Sequence, residues 1–333
     1  LPLGLLYGGI MEVRNAMYNL GILRSHLFDI PVICIGNLST GGTGKTPHVI
    51  HWCELLEKSG YHVVVLSRGY GRSTKGFRVV DRHDLASDVG DEPLEMKQAL
   101  KSTQVVVCED RVHGINEIQR LFSPDVIVMD DGMQHRAVEP GMTICLSAYD
   151  RPYDRDMIFP AGDLREFVHN IHRADALVLS KCPESESANT IERIQQKTEK
   201  AKMIFDTSRL KYGQLYDFHL NIPVDFPLSG LVITGIANSD SFIRYLRSKM
   251  RIIDHVAFRD HHNFREEEIR SIFAGHGVEN AVITTRKDAT RLAQIWNREE
   301  WGELYVLPVE IEMIINQLDQ KILEYVESTK RGK

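Results

Sequence analysis

The sequence predicts an α/β protein: a mostly parallel sheet flanked by helices, a second, smaller α/β domain, and an N-terminal amphipathic helix. Three observations carry that expectation. Continuous Val/Ile/Leu runs recur from Pro31 onward, and such runs suit parallel strands buried on both faces. Helical stretches separate them, which is the alternation that builds parallel sheets. The alternation stops over 210–229, where polar and apolar residues mix around Pro223 and Pro227, and then resumes. The expected divisions are therefore 1–30, 31–209 and 210–333.

The opening segment, "LPLGLLYGGIMEVRNAMYNLGILRSHLF", is apolar until Glu12, Arg14 and Asn15 interrupt it. It is too short for the roughly 20 apolar residues of a spanning helix. Leu6, Ile10, Val13, Met17 and Leu20 recur at helical spacing and form one stripe. The stripe either packs on the core or lies in a membrane interface; the pattern alone favours the core. The first residue is Leu1, so a residue or a longer segment is expected to precede it.

The strand "VICIGN" comes next, then a glycine-rich loop, then the helix "HVIHWCELLEKSG", expected to end at Gly60. "YHVVVLS", "QVVVCED", "DVIVMDD", "MTICLSA", "DALVLSK" and "KMIFDTS" continue the strands. Residues 210–229 read as a connection with short antiparallel strands. "GLVITGI", a helix from about Ser239, "RIIDHVAF", the helix "REEEIRSIFAGHG", "NAVITTRKDA" and the strand "LYVLPVEI" form the second set. A last helix is expected from about Met313 into a charged tail.

The chain has 333 residues, 43% hydrophobic and 26% charged, enough to bury the cores of about two domains. A net charge of -6 argues against broad nucleic-acid binding, which needs a basic face. Cys34, Cys53, Cys108, Cys145 and Cys182 form no C-x-x-C pair. They read as buried free thiols in a reducing compartment.

The loop "GNLSTGGTGKTP" nearly fits the phosphate-binding pattern G-x-x-x-x-G-K-[ST], with Ser39 where the first glycine belongs. Thr40, Gly41, Gly42, Thr43, Gly44, Lys45 and Thr46 make up the candidate nucleotide-binding set. Glycines let backbone N–H groups curl around an anion, Lys45 reaches the β- and γ-phosphates, and Thr46 offers a hydroxyl to Mg²⁺. "VIVMDDG" supplies Asp130 and Asp131 at the end of a buried strand, where a Mg²⁺-holding acid or a solvated turn belongs. "LSRGYGR" brings Arg68 and Arg72 into a loop that either clamps a phosphate or simply turns the chain. "SDVGDEP" carries Asp88, Asp91 and Glu92, and Arg111 follows a strand on the edge where ligands of α/β sheets bind. "FRDHHNF" groups Asp260, His261 and His262 as an acid–base pair, a solvated loop or, less readily, a metal site.

Together "GNLSTGGTGKTP", "LSRGYGR", "GDEP", "DDGMQHR", "PAGDLRE" and "FRDHHNF", in this order, closely resemble the tetraacyldisaccharide 4'-kinase family of lipid A biosynthesis. The family's loop also lacks the first glycine. The resemblance implies a P-loop kinase that uses ATP and Mg²⁺ to phosphorylate the 4'-hydroxyl of a tetraacylated glucosamine disaccharide 1-phosphate. It implies a monomer at the cytoplasmic face of the inner membrane of a Gram-negative bacterium, docked through the N-terminal helix, with no nucleic-acid partner. Carried over by motif, Lys45 and Thr46 match the loop lysine and threonine, and Asp130 and Asp131 the acidic pair, one of which holds the metal. Asp91 and His261 match an acid–base dyad on the acceptor hydroxyl, and Arg111 a basic active-site residue. His135, Arg165 and Glu166 match substrate-side positions, and Arg68 and Arg72 are assigned to the substrate's 1-phosphate. Asp163 stands where the family usually has proline, and Met133 where it has phenylalanine.

The dyad falls on both sides of the 209/210 boundary, so the site is expected in a cleft assembled by domain closure. Two other readings remain at this stage. A partition- or metal-insertion-type ATPase usually carries a second lysine early in the loop, and "NLSTGG" has none. A membrane-docked nucleotide switch would need no acceptor residues.

Overall fold

The structure, a computed structural model, describes residues 2–184, 188–276 and 281–331. It begins with α1 (Pro2–Asn19). A first sheet takes β1 (Val32–Asn37), β2 (Val63–Ser67), β3 (Arg78–Val79), β4 (Gln104–Val107), β5 (Val126–Asp130), β6 (Met142–Ala148), β7 (Ala176–Ser180) and β8 (Ile204–Tyr212). Between them run α2 (Lys45–Lys58), α3 (Ala86–Val89), α4 (Asp91–Ala99), α5 (Arg111–Phe122) and α6 (Ala188–Lys200). A second sheet takes β9 (Tyr216–Asp217), β10 (Ser229–Thr234), β11 (Arg251–Ala257), β12 (Ala281–Thr285) and β13 (Leu304–Leu307). Its helices are α7 (Asp240–Lys249), α8 (Glu266–His276), α9 (Arg286–Leu292) and α10 (Arg298–Trp301). Last come β14 (Val309–Met313) and α11 (Gln317–Arg331).

Among the described residues the first sheet has the order β14-β8-β7-β6-β1-β5-β2-β4-β3 and is parallel except at its two edges. The second has the order β11-β10-β12-β13-β9 and is parallel except for β9. Both faces of β1 are covered, which is why its sequence is continuously apolar. Ile33 and Ile35 pack with Trp52 and Leu56 of α2 and Ile322 of α11. Val32 and Cys34 point the other way, towards Ile115 and Ile118 of α5. The five cysteines are all buried.

The C-terminal part departs from expectation. "LYVLPVEI" is two strands in two different sheets: β13 belongs to the second and β14 pairs antiparallel with β8 in the first. Pro308 separates them, because it lacks the N–H a continuing strand would need. Its carbonyl accepts from Gly213 N at 3.0 Å, so the outgoing and returning strands meet at the crossing. Met313 ends β14, and the last helix starts only at Gln317. Asp206 fixes that start by accepting from Leu318 N at 3.1 Å and Asn316 N at 3.2 Å. Trp52 Nε1 donates to Asp319 at 3.0 Å and ties α11 to α2. Residues 309–331 therefore belong to the first sheet rather than to a unit spanning 210–333. Gly277 and Asn280, at the ends of an expected helix and strand, and the last two residues of the expected tail lie outside the described residues.

Helix α1 turns its apolar stripe outward: Leu6 is 63% exposed, Ile10 60%, Val13 63% and Leu20 74%. Core packing of this stripe is not what the chain adopts. The inward face is made of small and polar residues instead. A β-carbon on Gly8 would come within 2.6 Å of the Phe167 ring, so only glycine permits this approach. Asn15, 2% exposed, donates to Glu166 at 3.1 Å and Asn170 at 3.3 Å. Among the described residues no helix is long and apolar enough to cross a membrane.

Candidate active site

The phosphate loop joins β1 to α2 at the carboxyl edge of the first sheet, the edge where α/β sheets bind ligands. Gly41 and Gly44 have φ of 102° and 84°, left-handed values that favour glycine. The loop is held from below and from the side. Asn37 Nδ2 donates to Thr43 Oγ1 at 2.8 Å. Ser180 Oγ, at the end of β7, donates to the Thr43 carbonyl at 2.8 Å. His48 lies buried beneath the loop, 2.7 Å from the Gly44 carbonyl and 2.9 Å from Ser208 Oγ. A carbonyl only accepts, so His48 Nδ1 carries the proton and Nε2 accepts from Ser208. Burial pushes the His48 pKa down to about 4 and keeps the ring neutral. The "PAGDLRE" segment closes over the other side: Thr40 N donates to the Asp163 carbonyl at 2.6 Å and Arg165 N to the Leu38 carbonyl at 2.7 Å. Ser39 sits in that bridge, opposite Leu164, and not among the positive-φ residues.

Lys45 opens α2, and its ammonium stands 3.8 Å from Asp131. Arg165 reaches the same carboxylate at 2.9 and 3.1 Å. Burial alone would raise the Asp131 pKa, but Lys45 and Arg165 outweigh it and hold the group ionised. Asp130 goes the opposite way. It is 1% exposed, accepts from Ser67 Oγ at 2.9 Å through Oδ2, and has a buried Oδ1 without a hydrogen-bond partner among the described residues. Burial, then the charges of Glu92 and Asp131, push its pKa up to about 7. The adjacent acids are thus split, one charged and one holding a proton near neutrality.

Asp91 begins α4, one residue before Glu92, which acts on Asp130. His261 comes from the second sheet's side and places Nδ1 3.0 Å from Asp91 Oδ2. Lys287 Nζ stands 3.2 Å from His261 Nε2. An ammonium only donates, so Nε2 accepts and Nδ1–H points at Asp91. His261 has a φ of 58°, a left-handed value uncommon for a residue with a β-carbon. Arg291, nearly buried, lies 3.5 Å from Asp91 and over the Phe264 ring. The two halves expected to need closure already meet here.

The remaining expected residues divide. Arg111 is 2% exposed; it donates to the Cys108 carbonyl and, at 3.4 Å, to that of Asp130, so it braces the strand end carrying the acids. His135 has its pKa lowered to about 4 by burial, then by Arg111, and is neutral at pH 7. Arg68 is exposed, and its charge reaches both Arg111 and His135. Arg72 is withdrawn instead: its guanidinium pairs with Glu109 at 2.8 Å and donates to the Gly76 carbonyl at 2.6 Å. Glu166, expected against substrate, is 0% exposed. Asn15, Gln134 and Arg173 occupy its carboxylate, which makes it the anchor of α1. His48, Lys287 and Arg291 escaped the sequence reading. The first two sit in helices without a motif of their own, and only the fold brings Arg291 to Asp91.

A P-loop, a split acid pair and an acid–histidine pair, its acid from α4 and its histidine from the second sheet's side, together describe a phosphoryl transferase with an acceptor side. Comparison with known proteins agrees. A family model described as Tetraacyldisaccharide-1-P 4'-kinase matches residues 1–327. A tetraacyldisaccharide 4'-kinase from Bacteroides thetaiotaomicron is 37% identical over 99% of this chain and 93% of its own. The protein of the same name from Flavobacterium psychrophilum is 35% identical over 98% of this chain and 96% of its own. A crystal structure of LpxK from Aquifex aeolicus in complex with ATP superposes with a TM-score of 0.76 at 27% identity, covering 98% of both chains. Loop, acids and dyad thus stand in a chain matched along almost its whole length, and that chain belongs to the tetraacyldisaccharide-1-P 4'-kinase family.

Proposed function

We propose that the chain transfers the γ-phosphate of ATP to the 4'-hydroxyl of a tetraacylated glucosamine disaccharide 1-phosphate, the 4'-kinase step of lipid A biosynthesis. The observation that carries this reading within the family is the Asp91–His261 pair, whose acid stands next to Glu92, the residue whose charge reaches Asp130. A nucleotide switch has no use for an acceptor-side base, and the second lysine usual in a partition-type ATPase is absent from "NLSTGG". Asp91 takes the proton of the sugar hydroxyl as its oxygen bonds to phosphorus and the β–γ bridge breaks to leave ADP. His261 Nδ1–H and Arg291 hold the carboxylate in place. Lys45 and Arg165 offset charge at the loop, and Arg68 and His135 line the approach for the substrate's phosphate.

The donor set fits Mg²⁺: the Thr46 hydroxyl, the unpartnered Asp130 Oδ1 and phosphate oxygens are all hard ligands. Asp130 is the better placed acid, because Arg165 and Lys45 occupy Asp131. When bound, the ion would neutralise charge on the transferring phosphates. In metal-free protein Asp130 is a liability. It keeps its proton to about pH 7 when folded but releases it near 4 when unfolded, so folding stability falls as pH rises between those values. Asp130→Asn should therefore stabilise the protein in EDTA by about 2 kcal/mol at pH 8, with the gain vanishing towards pH 4, and should abolish transfer. Thermal melts across that range check it; a constant difference would refute the titration.

The outward stripe of α1 supports docking on the inner membrane's cytoplasmic face, where an acylated substrate resides. Phe159, 50% exposed, extends the patch by an edge contact with Tyr7. The double variant Ile10→Asp/Val13→Asp should lose about tenfold or more in partition onto phosphatidylglycerol-containing vesicles, with an unchanged melt. Equal partition would remove α1 as the anchor. The reaction itself is tested by incubating the protein with Mg·ATP and the lipid in detergent micelles and weighing the product. A gain of one phosphate is expected; ATP hydrolysis without lipid product would favour the ATPase reading.

A further inference from the structure

Lys181 ends the run "DALVLSK", and the mechanism above leaves it unused. It follows β7 directly with a φ of 60°, a left-handed value uncommon for lysine. The preceding Ser180 is bonded to the Thr43 carbonyl, so the strand end is clamped to the phosphate loop. The Lys181 ammonium lies 3.6 Å from where a β-carbon on Gly42 would stand, against the middle of the loop. Among the described residues it has neither a hydrogen bond nor an ion pair, and Asp150 is the acid whose charge reaches it. Burial lowers its pKa accordingly. A half-buried cation held without a partner beside anion-binding glycines is a seat for an anion.

Its side of the loop says which part of the ligand it meets. The sheet order β7-β6-β1-β5 puts Lys181 on one flank of the loop. Lys45 reaches the other flank, at Asp131 beyond β5. The transferring phosphate must face that second flank, where the charge of Glu92, next to Asp91 in α4, reaches Asp130. The nucleoside end therefore points towards β7. We propose that Lys181 is a second nucleotide-binding lysine, seating the α-phosphate and ribose of ATP while Lys45 holds the terminal phosphates. The inference rests on the kinase reading and deepens it. The second cation comes from β7, far along the chain, rather than from the start of the loop.

A group at the α-phosphate serves ATP and ADP alike. Titration calorimetry of the full chain with Mg·ATP and with Mg·ADP separates this from a role in transfer. Lys181→Met keeps most of the stem and removes the charge; Lys181→Ala removes both. Both variants are expected to weaken ATP and ADP equally, by about tenfold, the scale of one charge-assisted hydrogen bond. In steady-state assays the loss should fall on KM for ATP rather than on kcat or on KM for the lipid. Lys181→Met should melt no lower than the parent, since it relieves a half-buried charge that has no ion pair among the described residues. Unchanged ADP affinity in both variants would overturn the assignment, as would a loss confined to ATP. A parent protein that bound neither nucleotide would instead overturn the kinase reading and this inference with it.

Discussion

Lys45→Ala is expected to lower phosphoryl transfer by about a thousandfold or more while the protein stays folded. The ammonium is the first side chain of α2, placed by a loop that glycines, Asn37, Ser180 and His48 hold from several directions. Such preorganisation is what gives a charged group its effect on the transition state, where one well-placed donor is commonly worth about 10²–10³ in rate. Two consequences follow from its single carboxylate contact. Asp131 keeps Arg165, so no buried charge is stranded, and the 3.8 Å Lys45–Asp131 pair is long. The change in stability should stay within about 1 kcal/mol. The nucleotide loses its grip at the terminal phosphates, so ATP affinity should fall more than ADP affinity, unlike the equal loss expected at Lys181. Product mass and a thermal melt of the same preparation check both halves. Transfer within tenfold of the parent would mean that another cation carries the terminal phosphates.

Much of this arrangement is legible in the sequence, for a specific reason. Strands buried on both faces must be apolar at every position, so β1, β2, β5 and β7 announce themselves. The phosphate loop and the two acids are legible because their chemistry is local: a turn, a helix start and a strand end. What stays hidden depends on partners distant in the chain. Nothing in "LYVLPVEI" says that its two halves pair in different sheets, because that depends on β8 and β12. Arg72 and Glu166 have the right residue types in promising loops, but Glu109 and the Asn15–Gln134–Arg173 group claim them. The α1 stripe is equally two-sided as a pattern. Only the packing of Gly8 and Asn15 against residues 166–170 shows that its apolar side faces out.

Asp91→Ala should remove transfer by about 10²–10⁴-fold, the range of a general base, without disturbing nucleotide binding. The carboxylate stands at the first position of α4 with His261 at 3.0 Å and Arg291 at 3.5 Å, so its loss frees the histidine, while Arg291 keeps Asp288 and the Gly235 carbonyl. Asp91→Asn keeps the shape and cannot take a proton; it should be nearly as inactive. His261→Ala should cost less, because it removes the orienting partner and leaves the base. Combined with Asp91→Ala it should add little, since groups that act as one unit are not additive. ADP affinity measured on each variant separates this from damage to the phosphate loop: it should not change. If His261→Ala proved the more severe of the two, the proton would be taken at Nε2, Lys287 would have to move aside, and Asp91 would be the orienting partner. Full transfer in Asp91→Asn would remove Asp91 as the base and leave His261 and Glu92, next along α4 and already acting on Asp130, as the groups to test.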